Sequence, residues 1–405
     1  MKIAIASSGL GHVARGNEAW AADLGRALAE RGQDVLLCKG AGTATESYER
    51  VLPCWQREEE RTKRLFARIS QAPGGWRTGL GSVYGIEQTS FTWKLIRFLR
   101  REQIDLLHVQ DPLIALRVQQ AWRLGWVPTR VVLAHGTEES LHFQKRIIYL
   151  QHLAPYHQDA ARLAGAWRPT WTAIPNFIDT DTYQPGESGA LRHELGIPDN
   201  ALVVVTAAAI QRHHKRIDYL IDEFAHLIAE RPDLPAYLIV AGGREADTEE
   251  LVEYGRVLLG DRVRFLVRFP RERMPELYRA ANLFVLCSLK EMFGIVLLEA
   301  AATGLPCIVH RDPIFEWVVG EGGKVIDMAA PGALSSALVV LLTDNRCRQT
   351  LGERARSHCI ENFSSERVVD QILEYYTRTV LGTDSNLPSR QFDTASNSST
   401  SILGH

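Results

Sequence analysis

The fold of this chain is decided by the stretch LFVLCSLKEMFGIVLLEAAATGLP, residues 283–306. It begins with the apolar run Leu283–Cys287, which is typical of a buried strand in a parallel sheet. A hydrophobic run of helical character follows Gly294, so this glycine is expected where the strand turns into a helix. Such a turn presents free backbone N–H groups and the positive end of a helix dipole, which together bind phosphate well.

Two carboxylates flank this turn. Glu291 and Glu299 stand eight residues apart, which corresponds to a rise of about 12 Å if the intervening residues are helical. This is roughly the separation of the sugar and the ribose in a nucleoside-diphosphate sugar, so each carboxylate can serve one end. The alternative is a pair of solvated glutamates beside an ordinary helix start, because the spacing alone is a weak pattern.

The block around these carboxylates resembles the signature of glycosyltransferase family 4, S-x-x-E-G-F-G-x-x-x-x-E-A-x-A-x-G-x-P-V-I. The matching residues are Ser288, Glu291, Phe293, Gly294, Glu299, Ala300, Ala302, Gly304, Pro306 and Ile308. Met292 and Cys307 replace the usual Gly and Val. The resemblance implies a retaining, nucleotide-sugar-dependent enzyme of the GT-B fold, an α/β architecture in which two Rossmann-like domains face each other across a cleft. It also implies that no cofactor or metal ion is required and favours a UDP-sugar as the donor.

Length and composition agree with a two-domain protein. At 405 residues the chain exceeds one ordinary core, and its 45% apolar and 23% charged residues are typical of a soluble globular protein. The net charge of −2 gives no sign of nucleic-acid binding. The six cysteines form no C-x-x-C pair, no apolar run reaches about 18 residues, and the N-terminus resembles a first strand rather than a signal peptide. We therefore expect a cytoplasmic protein.

Apolar strands alternate with amphipathic helices, which predicts a doubly wound α/β fold. The predicted strands are Ile3–Ser7, a strand within 31–38, Leu106–Val109, Val131–Ala134, a last strand within 172–176, Leu202–Val205, Tyr237–Ala241, Val263–Leu266, Leu283–Leu286 and Cys307–Val309. A linker at 182–189 is expected to separate an acceptor-side domain, 1–184, from a nucleotide-sugar-binding domain, 185–363. By resemblance, a helix at 364–380 crosses back onto the first domain. The Ser-, Thr- and Asn-rich tail, 383–405, is predicted to be disordered.

Two further segments resemble phosphate-binding elements of the family. The segment 15–18, RGNE, is similar to the family's G-G-x-E, so Gly16 is the predicted diphosphate contact from the first domain. A plain turn between a strand and a helix is the alternative. Lys215, in QRHHKRID, corresponds to the lysine of the family's G-R-x-K-G element, where a positive charge would compensate the leaving diphosphate.

The second of these segments departs from the family pattern. Ala209 and Ile210 stand where the family has Gly-Arg, which leaves Arg212 or Arg216 as substitutes unless both are simply solvated. The adjacent pair His213-His214 is not expected to bind a metal, since no carboxylate or cysteine is spaced to complete a site.

The resemblance assigns roles to the remaining candidates. Glu291, Lys215 and His135 are the predicted catalytic residues, with His135 at a strand end beside the donor sugar and Glu291 on the sugar hydroxyls. The predicted donor-binding residues are Gly16, Arg212, Gly243, Phe293, Gly294, Ile295 and Glu299. Within this set Glu299 would hold the ribose, and Gly243 would lie near the base. His12 is interpreted as a loop residue, with substrate contact as the alternative.

The segment 56–101 contains ten basic and four acidic residues. Such a patch on the first domain can attract an anionic lipid or a phosphorylated acceptor, and it predicts peripheral contact with the inner face of the membrane. A solvated basic face is the alternative. The acceptor itself is expected to be a glycan, a lipid-linked sugar or a small molecule.

Three other functions compete with sugar transfer. A GT-B epimerase or hydrolase, in which water replaces the acceptor, would share the donor site. A non-catalytic nucleotide-sugar-binding relative is opposed by the joint presence of Glu291, Glu299 and Lys215. A nicotinamide oxidoreductase is disfavoured because the first loop has glycines at 9, 11 and 16 rather than G-x-G-x-x-G.

Overall fold

The computed structural model describes residues 1–13, 15–70 and 80–382. The first domain contains β1 (Ile3–Ser7), α1 (Gly16–Glu30), β2 (Val35–Lys39), β3 (Glu49–Val51), α2 (Glu60–Ser70), α3 (Val83–Glu102), β4 (Leu106–Val109), α4 (Pro112–Arg123), β5 (Arg130–His135), α5 (Leu141–Gln144), β6 (Tyr149–His152), α6 (Pro155–Leu163) and β7 (Trp171–Ala173).

The second domain follows a short connecting segment. Its elements are α7 (Leu191–Glu194), β8 (Leu202–Ala207), α8 (Ile217–Glu230), β9 (Ala236–Gly242), α9 (Thr248–Leu259), β10 (Val263–Val267), α10 (Met274–Arg279), β11 (Leu283–Leu286), α11 (Ile295–Ala302), β12 (Cys307–His310), α12 (Pro313–Val319), β13 (Gly323–Ile326), α13 (Ala333–Thr343) and α14 (Asn345–Phe363). The helix α15 (Ser365–Leu381) ends the described chain.

Each domain is built on one parallel sheet. The first sheet has the strand order β3-β2-β1-β4-β5-β6-β7 and the second the order β10-β9-β8-β11-β12-β13. In both sheets the order reverses beside the first strand, between β1 and β4 and between β8 and β11. Ligands of open α/β sheets bind at such reversals, outside the carboxyl ends of the strands. The predicted pair of Rossmann-like domains is confirmed.

The strands have continuous apolar sequences because both of their faces are buried. Successive side chains of a strand point to opposite faces of its sheet. In β1, Ile3 and Ile5 accordingly pack with Trp20 and Leu24 of α1, whereas the intervening alanines pack with α3 on the other face. All residues of β1 are buried.

Three strands escape the sequence analysis. The strand β3 is a three-residue edge strand, and β13 begins with Gly323-Lys324 and is only half-buried. The strand β6, YLQH, is fully buried but carries two polar side chains, so its apolar run is too short to be recognised. These omissions matter because β6 supplies residues to the site.

The chain passes between the domains at two neighbouring places. The backbone N–H of Ile178 donates to the Phe363 carbonyl at 2.9 Å, and the N–H of Ser365 donates to the Ile178 carbonyl at 2.9 Å. Within the predicted linker, 182–189, a methyl group at Gly304 of the second domain would lie 3.4 Å from Pro185. The proline therefore already packs on the second domain.

The helix α15 lies against the first domain. Its Tyr376 hydroxyl lies 2.6 Å from His108 Nδ1, its Tyr375 hydroxyl donates to the Thr170 carbonyl at 2.6 Å, and its Asp370 pairs with Arg31. This is the helix for which the sequence analysis gives 364–380. The tail for which disorder is predicted, 383–405, lies outside the described residues. Over the described part of the chain, no helix is both long and apolar enough to cross a membrane.

Candidate active site

Loops at the carboxyl ends of the two sheets meet across a cleft. Those of the first domain follow β1, β5 and β6, and those of the second follow β9 and β11. Two ion pairs cross the cleft, Arg15 with Glu245 at 3.3 Å and Glu138 with Lys290 at 3.0 Å. In addition, His157 Nε2 lies 3.3 Å from the Met292 carbonyl oxygen. A methyl group on Gly16 would lie 3.9 Å from Ile295 Cδ1.

Two helix N-termini meet in this cleft. The helix α1 begins at Gly16 and α11 begins at Ile295, and Ile295 Cδ1 lies 3.9 Å from where a methyl group on Gly16 would stand. Both ends present backbone N–H groups and the positive end of a helix dipole, which suits an anion placed between them. Gly294 has φ of 89°, a left-handed value that favours glycine, and it sets the direction of α11.

The predicted distance between the two glutamates requires a correction. The expected rise of about 12 Å assumes a helix over the whole interval. In the structure α11 begins at Ile295, so Glu291 lies in the preceding loop and only the second half of the interval is helical. A left-handed Gly294 is incompatible with a helix that continues through it.

Lys215 and Glu291 are brought into direct contact. The Lys215 ammonium bonds to Glu291 Oε1, and both side chains are largely buried, with 18% and 13% exposed. His214 Nε2 lies 3.8 Å from the same carboxylate oxygen and 3.0 Å from the Lys290 carbonyl. Two of the three predicted catalytic residues therefore form one ion pair, on the second-domain side of the cleft.

The two arginines considered as substitutes for the family Arg are bound elsewhere. Arg212 pairs with Glu250 at 2.8 Å and lies 3.7 Å from Asp218. Arg216 donates to the Met328 carbonyl at 2.9 Å and stacks on a tyrosine ring. Arg216 also has φ of 51°, a strained value for a residue with a side chain. The prediction that Arg212 binds the donor requires its side chain to leave these partners.

Glu299 is buried between two tyrosines. The Tyr183 hydroxyl donates to Oε1 at 3.2 Å and the Tyr278 hydroxyl donates to Oε2 at 2.6 Å. Burial raises the pKa of the Glu299 carboxyl, and the Tyr278 hydrogen bond and the nearby Arg271 offset this only in part. Arg271 also pairs with Asp23 of α1, so the cluster links the two domains. A role toward ribose stays a prediction, and it requires Glu299 to share its oxygens with the tyrosines.

Phe293 and Gly243, two other predicted donor-binding residues, differ in which of their atoms are accessible. The Phe293 ring is buried, packed edge-on against Trp317 and Phe363, so only its backbone is left to face the cleft. Gly243 follows β9 and has no heavy atom within 4 Å of where a methyl group would stand.

His135 lies between two other histidines. Its ring centroid lies 5.7 Å from that of His152 and 6.0 Å from that of His157, both edge-on. Burial, and to a smaller extent His157, lowers the pKa of His135 to about 4, and burial lowers that of His152 to about 3. These two rings are therefore neutral at pH 7. His152 ends β6 and His157 lies in the first turn of α6. Neither is a predicted site residue, because the polar pair Gln151-His152 hides β6 in the sequence.

A polar network on the first-domain side is a second feature that sequence analysis misses. Arg57 binds Glu87 with Nη2 at 2.6 Å, and His12 Nε2 lies 3.0 Å from the same carboxylate. Ser8 donates to Asp111 at 2.8 Å, and the Tyr84 hydroxyl donates to Asp111 at 2.9 Å. Hydrogen bonds from His12 and Arg57 outweigh the effect of burial and lower the pKa of Glu87 to about 2. These residues come from segments that are distant in the sequence, so no local motif predicts that they lie together.

No group of three or more histidine, cysteine, aspartate or glutamate side chains among the described residues is arranged to hold a metal ion.

Two family models match this chain. Residues 14–182 match the family described as Glycosyltransferase Family 4, and residues 188–358 match Glycosyl transferases group 1. The D-inositol 3-phosphate glycosyltransferase of Corynebacterium efficiens is 32% identical over 336 residues, which cover 74% of this chain and 78% of that protein. The N-acetyl-alpha-D-glucosaminyl L-malate synthase of Bacillus anthracis is 32% identical over 205 residues, 50% of this chain and 52% of that protein.

Solved structures show the same fold. Sucrose-phosphate synthase from Thermosynechococcus elongatus superposes with a TM-score of 0.74 at 20% identity, covering 95% of this chain and 100% of that one. HepE of Anabaena, solved in complex with UDP and glucose, gives a TM-score of 0.70 at 18% identity, covering 93% and 99%.

Proposed function

The chain belongs to glycosyltransferase family 4 and has the GT-B fold, and from this premise we propose that it transfers a sugar from a nucleoside-diphosphate sugar to an acceptor with retention of anomeric configuration. The Lys215–Glu291 ion pair beside the facing N-termini of α1 and α11 is the observation that carries the proposal. The family match favours transfer over the epimerase, hydrolase and non-catalytic alternatives.

The donor diphosphate is assigned to the space where the two helices meet. Backbone N–H groups at Gly16 and Ile295 approach it from opposite domains, and Lys215 adds a full positive charge. These groups compensate the negative charge that grows on the departing diphosphate, which is the task a metal ion performs in other phosphate sites. The proposal therefore includes catalysis without a bound metal ion or other cofactor.

The ion pair gives Lys215 and Glu291 a shared role in donor binding. A diphosphate competes with Glu291 for the Lys215 ammonium, and its arrival releases the Glu291 carboxylate. The freed carboxylate then accepts hydrogen bonds from the donor-sugar hydroxyls and stabilises the positive charge that develops on the sugar ring. His135, held neutral by burial, borders the same space from the first domain.

The proposed donor nucleotide is UDP. It is supported by the structural similarity to HepE, which was solved with UDP and glucose and with UDP-glucose. A screen that measures nucleoside-diphosphate release from UDP-, GDP- and ADP-sugars, with a chelator present throughout, tests both the base and the independence of metal. The expected result is release from a UDP-sugar that the chelator does not change. Release only from GDP- or ADP-sugars, or its loss with the chelator, contradicts the corresponding part of the proposal.

Retention is tested on the product of the same reaction. Proton NMR of a freshly formed glycoside reports the anomeric configuration through its coupling constant. A product with the anomeric configuration of the donor is expected, and an inverted product contradicts this part of the proposal.

The acceptor is proposed to be a glycan, a lipid-linked sugar or a small molecule bound on the first domain. Within the described part of segment 56–101, Arg64, Arg68 and Arg97 are exposed, and the Trp93 side chain is 66% exposed. Basic and aromatic side chains of this kind bind anionic lipid headgroups, which supports peripheral contact at the cytoplasmic face of a membrane. Sedimentation with anionic vesicles that falls away at high salt is expected. Equal sedimentation with neutral vesicles contradicts the membrane contact.

A further inference from the structure

Arg271 interacts with both of the helices whose N-termini meet in the cleft. It lies in the turn between β10 and α10 and belongs to no motif of the sequence analysis. Its Nη2 lies 2.5 Å from Asp23 Oδ2 of α1, and its guanidinium is close enough to Glu299 of α11 for the two charges to interact. One side chain of the second domain therefore connects α1 with α11.

This connection lies behind the contact at the helix N-termini. Asp23 stands seven residues after Gly16 in α1, and Glu299 stands four residues after Ile295 in α11. Both spacings return to the same face of a helix, with rises of about 10 Å and about 6 Å. The helix faces that approach each other at Gly16 and Ile295 are therefore linked a second time, through Arg271.

The segment that carries Arg271 also holds Glu299 by a hydrogen bond. Tyr278, seven residues after Arg271, donates to Glu299 Oε2 at 2.6 Å, and Tyr183 donates to Oε1 at 3.2 Å. Both tyrosine hydroxyls are neutral, so they leave the charge of the buried carboxylate uncompensated. Burial raises the pKa of Glu299, and the positive charge of Arg271 opposes this rise. Without Arg271 the carboxyl would be protonated more readily and would lose acceptor capacity for ribose hydroxyls.

An ordinary surface ion pair is the alternative interpretation. The Arg271 and Asp23 side chains are 44% and 23% exposed, and exposed pairs contribute only about 0–1 kcal/mol to stability. Arg273, two residues further on, is an example of such a pair, because it binds Glu194 and Glu276 within the second domain. Arg271 differs in that its partner lies in the other domain and its charge acts on a buried carboxyl.

We propose that Arg271 is a positioning residue for the donor nucleotide, which holds α1 against α11 through Asp23 and holds the Glu299 carboxylate ready for the ribose. The inference rests on the proposed function, because it takes the diphosphate to lie between the two helices and Glu299 to bind the ribose. Arg271 acts through these partners and not by touching the donor. Its loss should therefore raise the donor KM more than it lowers kcat.

Calorimetric titration of UDP into the full chain compares three variants with wild type. Arg271→Gln removes the charge and should weaken UDP binding about tenfold, the scale of one charge interaction in a partly buried site. Arg271→Lys keeps the charge and should lose less affinity than Arg271→Gln. Arg273→Gln is the matched control from the same turn and should bind UDP as wild type does. Donor KM and kcat are measured on the same proteins.

A double-mutant cycle tests the part that Asp23 plays. Asp23→Asn should weaken UDP binding about threefold, although Asp23 lies about two turns from the N-terminus of α1. Adding Asp23→Asn to Arg271→Gln should cause no further loss of affinity, because the connection between the helices is already broken.

Three results overturn the inference: wild-type UDP affinity in Arg271→Gln, an equal loss in Arg271→Lys, or losses from Asp23→Asn and Arg271→Gln that simply add. Failure of wild type to bind UDP would instead overturn the proposed function. Thermal unfolding of each variant checks that it is folded, and the comparison with Arg271→Lys keeps the test decisive if Arg271→Gln is destabilised.

Discussion

Lys215 and Glu291 show at the scale of single residues how the site is held ready for a diphosphate. Each largely buried charge is compensated by the other, so removing Lys215 also leaves the carboxylate unpaired. Lys215→Ala should lower turnover by about 100-fold, the scale of losing one electrostatic stabiliser of the leaving group. Lys324→Ala, an exposed lysine on β13, is the matched control. Activity within a few-fold of wild type would show that another cation holds the phosphate.

The two glutamates are expected to act on opposite ends of the donor. Glu299→Gln keeps an acceptor for one tyrosine and should weaken UDP binding about tenfold if Glu299 holds the ribose. Glu291→Gln should leave UDP affinity within about twofold and depress sugar transfer instead. Calorimetry with UDP, together with transfer assays on both variants, checks this division. Equal losses of UDP affinity in the two variants would refute it.

Glu18 should make stability depend on pH in a predictable direction. Its pKa rises from 4.5 to about 7 on folding, so its contribution to stability is present below pH 4.5 and is lost as the pH rises through 7. Asp111, Glu87 and Arg57 face the same carboxyl and are left in place. Between pH 4.5 and pH 8, Glu18→Gln should therefore gain roughly 2–3 kcal/mol in unfolding free energy relative to wild type.

Chemical denaturation at the two pH values measures this change. Glu30→Gln is the control, because its carboxyl is exposed at the end of the same helix. A difference between Glu18→Gln and wild type that is the same at both pH values would show that Glu18 titrates normally.

At the scale of elements, the start of α11 depends on one backbone conformation. Gly294 has φ of 89°, and a methyl group there would stand 3.2 Å from Leu297 Cδ1. Gly294→Ala should cost about 1–3 kcal/mol of stability and reduce turnover, because the N–H groups of α11 would shift. Gly243→Ala adds a methyl group in open space and should change stability by less than about 0.5 kcal/mol. Denaturation curves in which both variants match wild type would contradict the strain argument.

The elements that could be predicted from the sequence are those whose packing produces a recognisable residue pattern. The apolar runs of β1, β8 and β11 are readable because both faces of a parallel strand are buried. The start of α11 after Gly294 is readable from the sequence, but the helical rise expected over 291–299 is not found, because Glu291 lies in the preceding loop. The strand β6 is hidden because Gln151 and His152 interrupt its apolar pattern, although both are fully buried.

The candidate site was only partly predictable for a related reason. Glu291, Gly294 and Lys215 lie in dense local motifs, and the structure places them together. The partners of Glu299 and the network around Glu87 depend on contacts between distant segments, which no local spacing encodes. Arg212 shows that a position near a motif lysine does not guarantee a place in the site, because its side chain is bound to Glu250.

At the scale of the whole molecule, the two domains are linked both where the chain passes between them and across the cleft. Away from the cleft, the links are the backbone pairing of Ile178 with residues 363–365 and the Asp23–Arg271 ion pair. The cleft side has two exposed ion pairs, Arg15–Glu245 and Glu138–Lys290. Exposed pairs contribute little to stability, so we predict that the cleft contacts separate to admit a donor while the contacts at Ile178 persist.

We propose that the donor diphosphate is bound between the domains and not by the second domain alone. Calorimetric titration of UDP into wild type and Gly16→Val tests it directly, because the only neighbour of a new methyl at Gly16 in the described structure is Ile295 Cδ1, 3.9 Å away across the cleft. If α1 and α11 share the diphosphate, the added side chain fills that space, and UDP affinity should fall at least about tenfold without loss of thermal stability. Unchanged UDP affinity in Gly16→Val would contradict the account.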